Sequence, residues 1–280
     1  MTDDLLHRID DTLRRATDSG ALQPIRTEQT HVHDRGFDFT VRWVSSLALK
    51  DAARVNEAVR RDPNFNPFLP PDPQLTVGPL GERHLAVLNK FPVIERHLLI
   101  VTRTFEEQCA PLTLADFDAL AMVMRDHGGL GFYNGGPDAG ASQRHKHLQW
   151  IPGNGAATKL APFTRGLASG PWPIVHPALP WRHCFVRIQP HFGGGALLSA
   201  FEAGCRALGV DSATDPMPPY NFLATLDWMV VIPRSCERHH DISVNALGFA
   251  GSLFVRHPEQ IDTVRDIGPL RLLTAVAQPA

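Results

Sequence analysis

Two histidines and a glutamine at alternate positions form the group of residues in this chain that is best suited to chemistry. They are His145, His147 and Gln149, within the segment GASQRHKHLQW. Side chains alternate between the two faces of an extended strand. If the segment is extended from His145 onward, the three polar groups therefore share one face, and Lys146 and Leu148 point the other way. A neutral imidazole is a competent nucleophile toward phosphorus, and the small residues before the strand offer N–H groups and a hydroxyl to phosphate oxygens. The pattern indicates nucleotidyl transfer.

The His-x-His spacing alone does not identify a site. A second copy, His31 and His33, lies in a segment with no small-residue turn and no following glutamine, and we interpret it as a solvated strand or loop. For His145 and His147 two other interpretations remain open, a buried pair or two metal ligands of a barrel protein. A metal site needs a third and a fourth ligand at workable spacing, and the remaining histidines are scattered without one.

The sequence around the pair resembles a known family. GGPDAGASQRHKHLQW closely resembles the signature of the ATP adenylyltransferases, also called diadenosine tetraphosphate phosphorylases, a branch of the histidine-triad superfamily related to galactose-1-phosphate uridylyltransferase. Further segments are similar to the same family: NPFLPPDPQLTVGPL from Asn66, LNKFPVIERHLLIVTRTFEEQ from Leu88, YNFLATLDWMVVIPRS from Tyr220 and NALGFAGSLFV from Asn245. The resemblance implies an α+β, histidine-triad-like fold. A largely antiparallel sheet, shared by both halves of the chain, would be flanked by helices.

The resemblance also assigns roles to individual residues. His147 would attack the α-phosphate and carry the AMP, Gln149 would contact the same phosphate, and His145 with nearby backbone carbonyls would hold the reactive tautomer. The residues that would hold the phosphate chain are Asn134, Gly140, Ala141, Ser142 and Gln143. Further nucleotide or phosphate contacts would come from Lys50, Asn89, Lys90 and Asn221. Because the C-terminal half has no lysine beyond Lys159, a lysine contact there would have to be replaced by an arginine such as Arg234.

The implied reaction is the reversible cleavage of diadenosine tetraphosphate by phosphate to ATP and ADP, through a covalent AMP on His147. Adenylyl sulfate is a plausible side substrate because it also carries an activated AMP. Two alternatives from other classes remain: a dinucleoside polyphosphate hydrolase of the same superfamily, and a non-catalytic nucleotide-binding or sensor protein. No cluster of carboxylates dictates a dedicated metal site, so no cofactor is required, although Mg²⁺ can accompany the nucleotide substrate. The expected partners are small-molecule nucleotides.

Composition agrees with these expectations. A net charge of −2 argues against a general nucleic-acid binder. Four cysteines without paired spacing are typical of a reducing compartment. The N-terminus is acidic where a secretory signal would be basic and then apolar, and no apolar run approaches the ~20 residues of a membrane helix. We therefore expect a cytoplasmic protein with no membrane partner.

Periodicity and turn residues predict the elements that hold the site. The segment from Pro152 to Pro180 is rich in glycine, proline and alanine. We therefore expect an N-terminal catalytic half, 1–160, and a C-terminal half, 161–280, within one compact unit. The predicted helices are 3–18, 113–127, 197–208 and 258–267. The predicted strands are 37–43, 83–89, 97–102, the motif strand, two strands within 221–232, and 247–255. The proline-rich segment 62–79 is expected to be an ordered, packed connection, and Lys146 to take a solvent-facing or supporting role.

Overall fold

The computed structural model describes residues 5–44, 65–153, 160–165, 167, 172–188 and 192–280. The helices are α1 (Leu5–Asp18), α2 (Leu114–His127), α3 (Ala161–Thr164), α4 (Gly194–Ala207), α5 (Gln260–Ile267) and α6 (Pro269–Val276). The strands are β1 (Thr27–Asp34), β2 (Phe37–Val44), β3 (Thr76–Leu80), β4 (His84–Leu88), β5 (Leu98–Thr102), β6 (Leu130–Gly135), β7 (His147–Ile151), β8 (Cys184–Arg187), β9 (Tyr220–Ala224), β10 (Trp228–Pro233), β11 (Arg238–His239), β12 (Ile242–Ser243) and β13 (Ser252–Val255). Short 3-10 helices cover Pro137–Ala139 and Ala246–Ala250.

An eight-stranded sheet runs through both halves of the chain in the order β3-β4-β5-β7-β6-β9-β10-β8. Every neighbouring pair in it is antiparallel. The halves join where β6 pairs with β9, for example Asn134 opposite Asn221. A second sheet, β1-β2-β13, joins the halves again, since β13 pairs with β2 in parallel. The predicted α+β class with a largely antiparallel, continuous sheet is confirmed.

The strand that carries the motif separates two apolar layers because its side chains alternate. Leu148 and Trp150 pack into the cluster that contains the buried residues of α1, α2 and α4, whereas Ile151 packs into the cluster formed with β2, β13, α5 and α6. β7 is buried along its whole length. The sheet face on the side of Ile151 is also the face that His147 and Gln149 occupy.

Local sequence signals explain the helix that supports this strand from behind. Thr113 caps α2, and its side chain and backbone N–H both donate to the Asp116 carboxylate, at 2.9 and 2.7 Å. The bond from the Thr113 N–H to the side chain three residues later is the half of a capping box that an acidic residue at this position supplies. The predicted start and end of α2 are confirmed.

Several other predictions are confirmed, and some need correction. Phe68 is buried and bridges to Pro71, so the proline-rich segment is packed there as predicted, but its end forms strand β3 and is not an irregular connection. His31 and His33 are exposed on β1, as expected. The prediction of one strand over 247–255 is wrong, because a 3-10 helix ends at Gly251, which has a positive φ of 80°, before β13 begins. The elements that were not predicted are strands β3, β6, β8, β11 and β12 and helices α3 and α6. Within the described residues, no helix is both long and apolar enough to cross a bilayer.

Candidate active site

A cavity of about 1310 Å³ opens on the sheet face that carries His147 and Gln149. Pockets for single drug-sized ligands are usually about 300 to 1000 Å³, so this one has room for a larger molecule. The C-terminal half contributes Asn245, Leu247 and Phe254 to it. Its other walls come from Gln23, 65–73, Leu75, Val87, Leu88, Asn89, Lys90, Phe91, Val93, Ile94, His97, Leu99, Asn134, Gly140, Ser142 and Gln143.

The His147 imidazole is held in one tautomer. Its Nδ1 lies 2.8 Å from the backbone carbonyl of His145, which can only accept a hydrogen bond, so Nδ1 carries the proton and Nε2 carries a lone pair. Burial lowers the pKa of His147 to about 4, against a weaker opposing effect of that hydrogen bond. At neutral pH the ring is therefore an uncharged base that lines the cavity.

The His145 ring does not line the cavity, so it does not share one wall with His147 and Gln149 as the alternation predicted, because β7 begins only at His147. The His145 Nδ1 lies 3.0 Å from Nδ2 of Asn66, and its Nε2 lies 2.8 Å from the carbonyl oxygen of Thr102. Asn66 Oδ1 accepts from the Phe68 N–H, so Nδ2 is the atom that donates to His145. Burial lowers the pKa of His145, although hydrogen bonds to backbone carbonyls oppose the shift. His145 thus reaches the site through its backbone carbonyl, while its ring fixes the chain around that carbonyl.

Gln149 is oriented by two side chains that are hydrogen-bonded in series, those of Asn89 and His97. Asn89 Oδ1 accepts from the Phe91 N–H at 3.1 Å, so Asn89 Nδ2 donates to His97 Nδ1 at 3.0 Å. His97 Nε2 must then carry the proton, and it donates to Gln149 Oε1 at 2.9 Å. Burial lowers the pKa of His97 to about 4, which agrees with a neutral ring. The amide nitrogen of Gln149 is left to face the cavity.

Gln108 fills the gap where β6 and β7 diverge. The two strands pair only as far as Phe132 opposite Gln149. Beyond that point, the buried Gln108 side chain accepts from the His147 N–H at 2.9 Å and donates to the carbonyls of Asn134 at 2.9 Å and His147 at 3.2 Å. It therefore replaces the missing strand pairing and fixes the backbone of His147 and Asn134 together.

The loop before the motif strand needs glycine at its start. Gly140 has a φ of 88°, and a Cβ there would lie 2.8 Å from the Val244 carbonyl oxygen. Both the positive φ and this close approach exclude larger residues. Ser142 and Gln143 follow and line the cavity, whereas Ala141 is not part of its lining. The loop brings a hydroxyl and an amide to the same space as His147.

The polar groups of the cavity are chiefly neutral donors. Asn245 Oδ1 accepts from the Leu247 N–H at 3.0 Å, which leaves its amide nitrogen for the cavity, as in Gln149. Among the described lining residues, Lys90 is the one lysine or arginine, and it is exposed. Backbone and side-chain N–H groups of this kind suit the oxygens of a phosphate ester. Lys50 lies outside the described residues.

Two predicted roles need correction. Asn221 is fully buried and does not line the cavity, because its amide is used by the Asn134 side chain and by backbone carbonyls behind it. Arg234 is buried and donates to carbonyls, so it cannot replace a lysine that binds phosphate directly. Lys146 faces away from His147 as predicted, and because it is buried and pairs with Glu106 at 2.7 Å, it has the supporting one of its two predicted roles and not the solvent-facing one.

The buried charges behind the motif strand form a network of their own. Asp116 accepts from His84 Nε2 at 2.8 Å and lies 3.6 Å from the Lys146 ammonium. Burial alone would raise the pKa of Asp116, but the hydrogen bond from His84 and the charge of Lys146 outweigh it and lower the pKa. This network ties β7 to the start of α2.

Sequence reasoning missed His97, Gln108 and Asn245. His97 could have been found, because it is the first residue of a predicted strand in a segment that resembles the family. On that strand its side chain would lie on the same face as Leu99. Asn245 also begins such a segment. Gln108 lies in a loop with no pattern that points to the site. Within the described part of the chain, no three His, Cys, Asp or Glu residues are grouped so that they could hold a metal ion.

Comparison with known proteins agrees with this geometry. The family model "Ap4A phosphorylase N-terminal domain" matches residues 1–165, and "ATP adenylyltransferase C-terminal domain" matches residues 177–279. The chain is 27% identical over 305 aligned residues to diadenosine 5',5'''-P1,P4-tetraphosphate phosphorylase 2 of Saccharomyces cerevisiae, covering 94% of this chain and 91% of that protein. The crystal structure of yeast Ap4A phosphorylase Apa2 superposes with a TM-score of 0.82 at 25% identity, covering 100% of this chain and 99% of that one. The structure of Apa2 in complex with AMP gives a TM-score of 0.79 at 26% identity, covering 98% and 96%.

Proposed function

The chain belongs to the Ap4A phosphorylase family, since that family model covers more than half of it, and on this premise we propose that it cleaves diadenosine tetraphosphate with inorganic phosphate to ATP and ADP, reversibly. The chain is a nucleotidyltransferase with two characteristic domains of such enzymes. The observation that carries the proposal is the lone pair of His147 Nε2, which is presented to a cavity lined by amide donors.

In the first step, His147 Nε2 attacks the α-phosphorus of the dinucleotide. An N–P bond forms, the P–O bond to the other half of the substrate breaks, and ATP leaves. The Nδ1 proton stays bonded to the His145 carbonyl, which stabilises the positive charge that the ring acquires. Gln149 and Asn134, which line the same cavity as His147, donate to the phosphate oxygens.

In the second step, an oxygen of inorganic phosphate attacks the same phosphorus. The N–P bond breaks, ADP leaves, and His147 returns to its neutral form. Because both steps are displacements at one phosphorus, the acceptor must enter where ATP departed. Ser142, Gln143, Asn89 and Lys90 line this space, and we assign them, with Gly140 and Ala141 of the same loop, to the polyphosphate chain. Lys50 is assigned to the phosphate chain by the family resemblance alone, and Mg²⁺ would come with the nucleotide. Adenylyl sulfate would enter by the same first step.

The test uses diadenosine tetraphosphate labelled at the α-phosphates. The proposal expects ATP and ADP only when phosphate is added, and a label on His147 when phosphate is omitted. His147→Ala should give no label and no turnover while it still binds AMP. His145→Ala keeps the backbone carbonyl and should retain part of the activity. Label on His145, or full activity in His147→Ala, would refute the assignment. AMP and ATP formed without phosphate would indicate a hydrolase, and binding without turnover a sensor.

Ser142→Ala and Asn134→Ala should lower turnover more than stability, because each removes a donor from a phosphate oxygen. Loss of one such donor typically costs a hundredfold or more. Variants that unfold earlier but are fully active when folded would indicate a structural role.

The four cysteines are all unpaired, which supports our proposal that the enzyme works in the reducing cytoplasm.

A further inference from the structure

Arg234 is an arginine buried behind the phosphate site with oxygen partners that are all uncharged. It is 1% exposed and packs over the Phe249 ring at 5.4 Å. Its donors reach the carbonyl oxygens of Val276 (3.0 Å), Cys236 (2.8 Å), Val244 (2.9 Å), Ala139 (3.3 Å) and Glu237 (3.4 Å), and Oδ1 of Asn221. Among the described residues, no carboxylate lies within 4.0 Å of it.

A guanidinium in this setting keeps its charge. Burial lowers the pKa of Arg234 to about 10, against weaker opposing effects from Cys236, Glu237 and Asp138, so the group stays protonated at neutral pH. Its charge is spread over backbone carbonyl dipoles and is not cancelled by an ion pair. A charge that is not paired in a low-dielectric region acts over a longer distance than one at the surface.

Asn221 transmits the orientation of Arg234 toward the cavity. A guanidinium can only donate, so the amide atom of Asn221 that faces it must be Oδ1. The Asn221 Nδ2 then donates to the Ala139 carbonyl at 2.9 Å and to Asn134 Oδ1 at 3.0 Å. Because carbonyls can only accept, this assignment has no alternative amide flip.

Asn134 is the last residue in this series of hydrogen bonds, and it is the one that lines the cavity. Its Oδ1 accepts from Asn221 and also from the Ala246 N–H at 2.9 Å, which can only donate. Its Nδ2 makes no hydrogen bond within the described residues, and the side chain, 3% exposed, lines the cavity. The donor therefore faces the space that His147 faces.

We propose that Arg234 is a positioning residue, which fixes the Asn134 amide through Asn221 so that its N–H faces the phosphate chain, and which adds a positive potential behind that site. This inference rests on the proposed function. Arg234 and Asn221 also share the Ala139 carbonyl, directly before Gly140, so the same pair holds the start of the phosphate loop. Arg234 thus acts on the substrate without touching it.

The experiment is a double-mutant cycle read out by ligand binding. The variants are Arg234→Lys, Asn134→Ala and the double variant, and calorimetry measures the affinity of each for adenosine, AMP and ATP. We expect Arg234→Lys to weaken the binding of AMP and of ATP by roughly 10-fold or more, which is the usual scale for a lost hydrogen bond to a charged group. The binding of adenosine should weaken by much less. In the Asn134→Ala background, Arg234→Lys should reduce the affinity for AMP by a clearly smaller factor, because Arg234 acts on the ligand mainly through Asn134.

A structural role alone gives a different pattern. Arg182 provides the matched control: it also holds the C-terminal half through Gln278, at 2.9 Å, and the Leu208 carbonyl, but it does not line the cavity. Arg182→Met should lower the melting temperature without changing the ratio of AMP to adenosine affinity. Arg234→Met should lower that ratio further than Arg234→Lys, which keeps the charge. Equal losses for adenosine and AMP, or additive losses in the cycle, would overturn the inference.

Failure of the proposed function has its own signature. A wild-type protein that binds neither AMP nor ATP would refute the function and with it the inference. A wild-type protein that binds and cleaves diadenosine tetraphosphate, while Arg234→Lys keeps its full affinity for AMP, would refute the inference alone. If Arg234→Met does not fold, the Arg234→Lys cycle still decides the question, because the ammonium keeps the charge and part of the hydrogen bonding.

Discussion

His97 Nε2 donates to Gln149 Oε1 at 2.9 Å, and this one bond decides which end of the Gln149 amide faces the substrate. If the amide turned over, two N–H groups would face each other in a buried site. The proton on His97 is set in turn by Asn89, whose own amide is set by a backbone N–H. Gln149 is thus held by a neutral histidine from a neighbouring strand.

His97→Phe should lower kcat by roughly 10- to 100-fold while the protein stays folded, because Gln149 would lose the donor that fixes its amide. His97→Gln keeps a donor within reach of Gln149 and should recover part of the rate. Steady-state kinetics with diadenosine tetraphosphate provides the measurement. Equal rates for His97→Phe and the wild type would show that Gln149 needs no partner.

The sequence predicts many of the residues that line this site, but not the buried residues that hold them in place. Alternation along β7 and the glycine at 140 carry a local signal, so the shared face of His147 and Gln149 and the tight turn before them could be predicted. The role of Asn221 could not, because whether a buried amide faces the substrate or the chain behind it depends on which strands are neighbours. Gln108 likewise acts only because β6 and β7 diverge at that point, a property of three-dimensional packing that no local pattern records.

The first chemical step should stay fast in mildly acidic solution. The pKa of His147 lies at about 4, so the neutral nucleophile persists down to about pH 5, whereas an ordinary histidine with a pKa near 6.5 would be about tenfold depleted at pH 5.5. Single-turnover release of ATP without added phosphate is the suitable measurement, because inorganic phosphate itself titrates near neutrality. A rate that falls tenfold between pH 7.5 and 5.5 in the folded protein would contradict this account.

The free energy of unfolding, in contrast, should decrease as the solution becomes more acidic. His97, His147 and His183 each have a pKa lowered to about 4, chiefly by burial. Between about pH 6.5 and 4 the unfolded chain binds protons at these positions and the folded chain does not, so the free energy of unfolding decreases as pH falls, by roughly 1 kcal/mol per pH unit for each group.

His183 provides the test of that slope, because it does not line the cavity and both ring nitrogens are bonded, to the Trp181 carbonyl at 2.6 Å and the His176 N–H at 2.9 Å. His183→Gln should flatten the pH dependence of denaturant unfolding and keep activity. A slope in His183→Gln that is identical to the slope of the wild type would exclude His183 as a source.

Gln108→Leu should damage stability and activity together. It leaves the buried N–H and carbonyl of His147 without partners and removes one of the two donors to the Asn134 carbonyl, which also accepts from the Gly136 N–H, at a cost of roughly 2 kcal/mol or more in the free energy of unfolding. Gln108→Glu keeps the acceptor for the His147 N–H but places an oxygen against two carbonyls, so it should not restore activity. The exposed Gln74 is the control. A Gln108→Leu protein with normal stability would show that water takes over these bonds.

Gln149→His should change the acceptor that the enzyme uses. A glutamine can only hydrogen-bond, whereas a histidine that accepts from His97 through one ring nitrogen would present its other nitrogen to the cavity and could move a proton. Proton transfer of this kind is typically worth ~100- to 10,000-fold in rate. An incoming water needs it, but an incoming phosphate arrives as an anion and does not. At fixed phosphate, product chromatography should therefore show a larger share of AMP relative to ADP.

Gln149→Met is the control, because it can neither bond to His97 in this way nor transfer a proton. It should be slow, without a larger share of AMP among the products. An unchanged ratio in a folded, active Gln149→His protein would mean that the acceptor is chosen by the exclusion of water from the cavity and not by the group at this position.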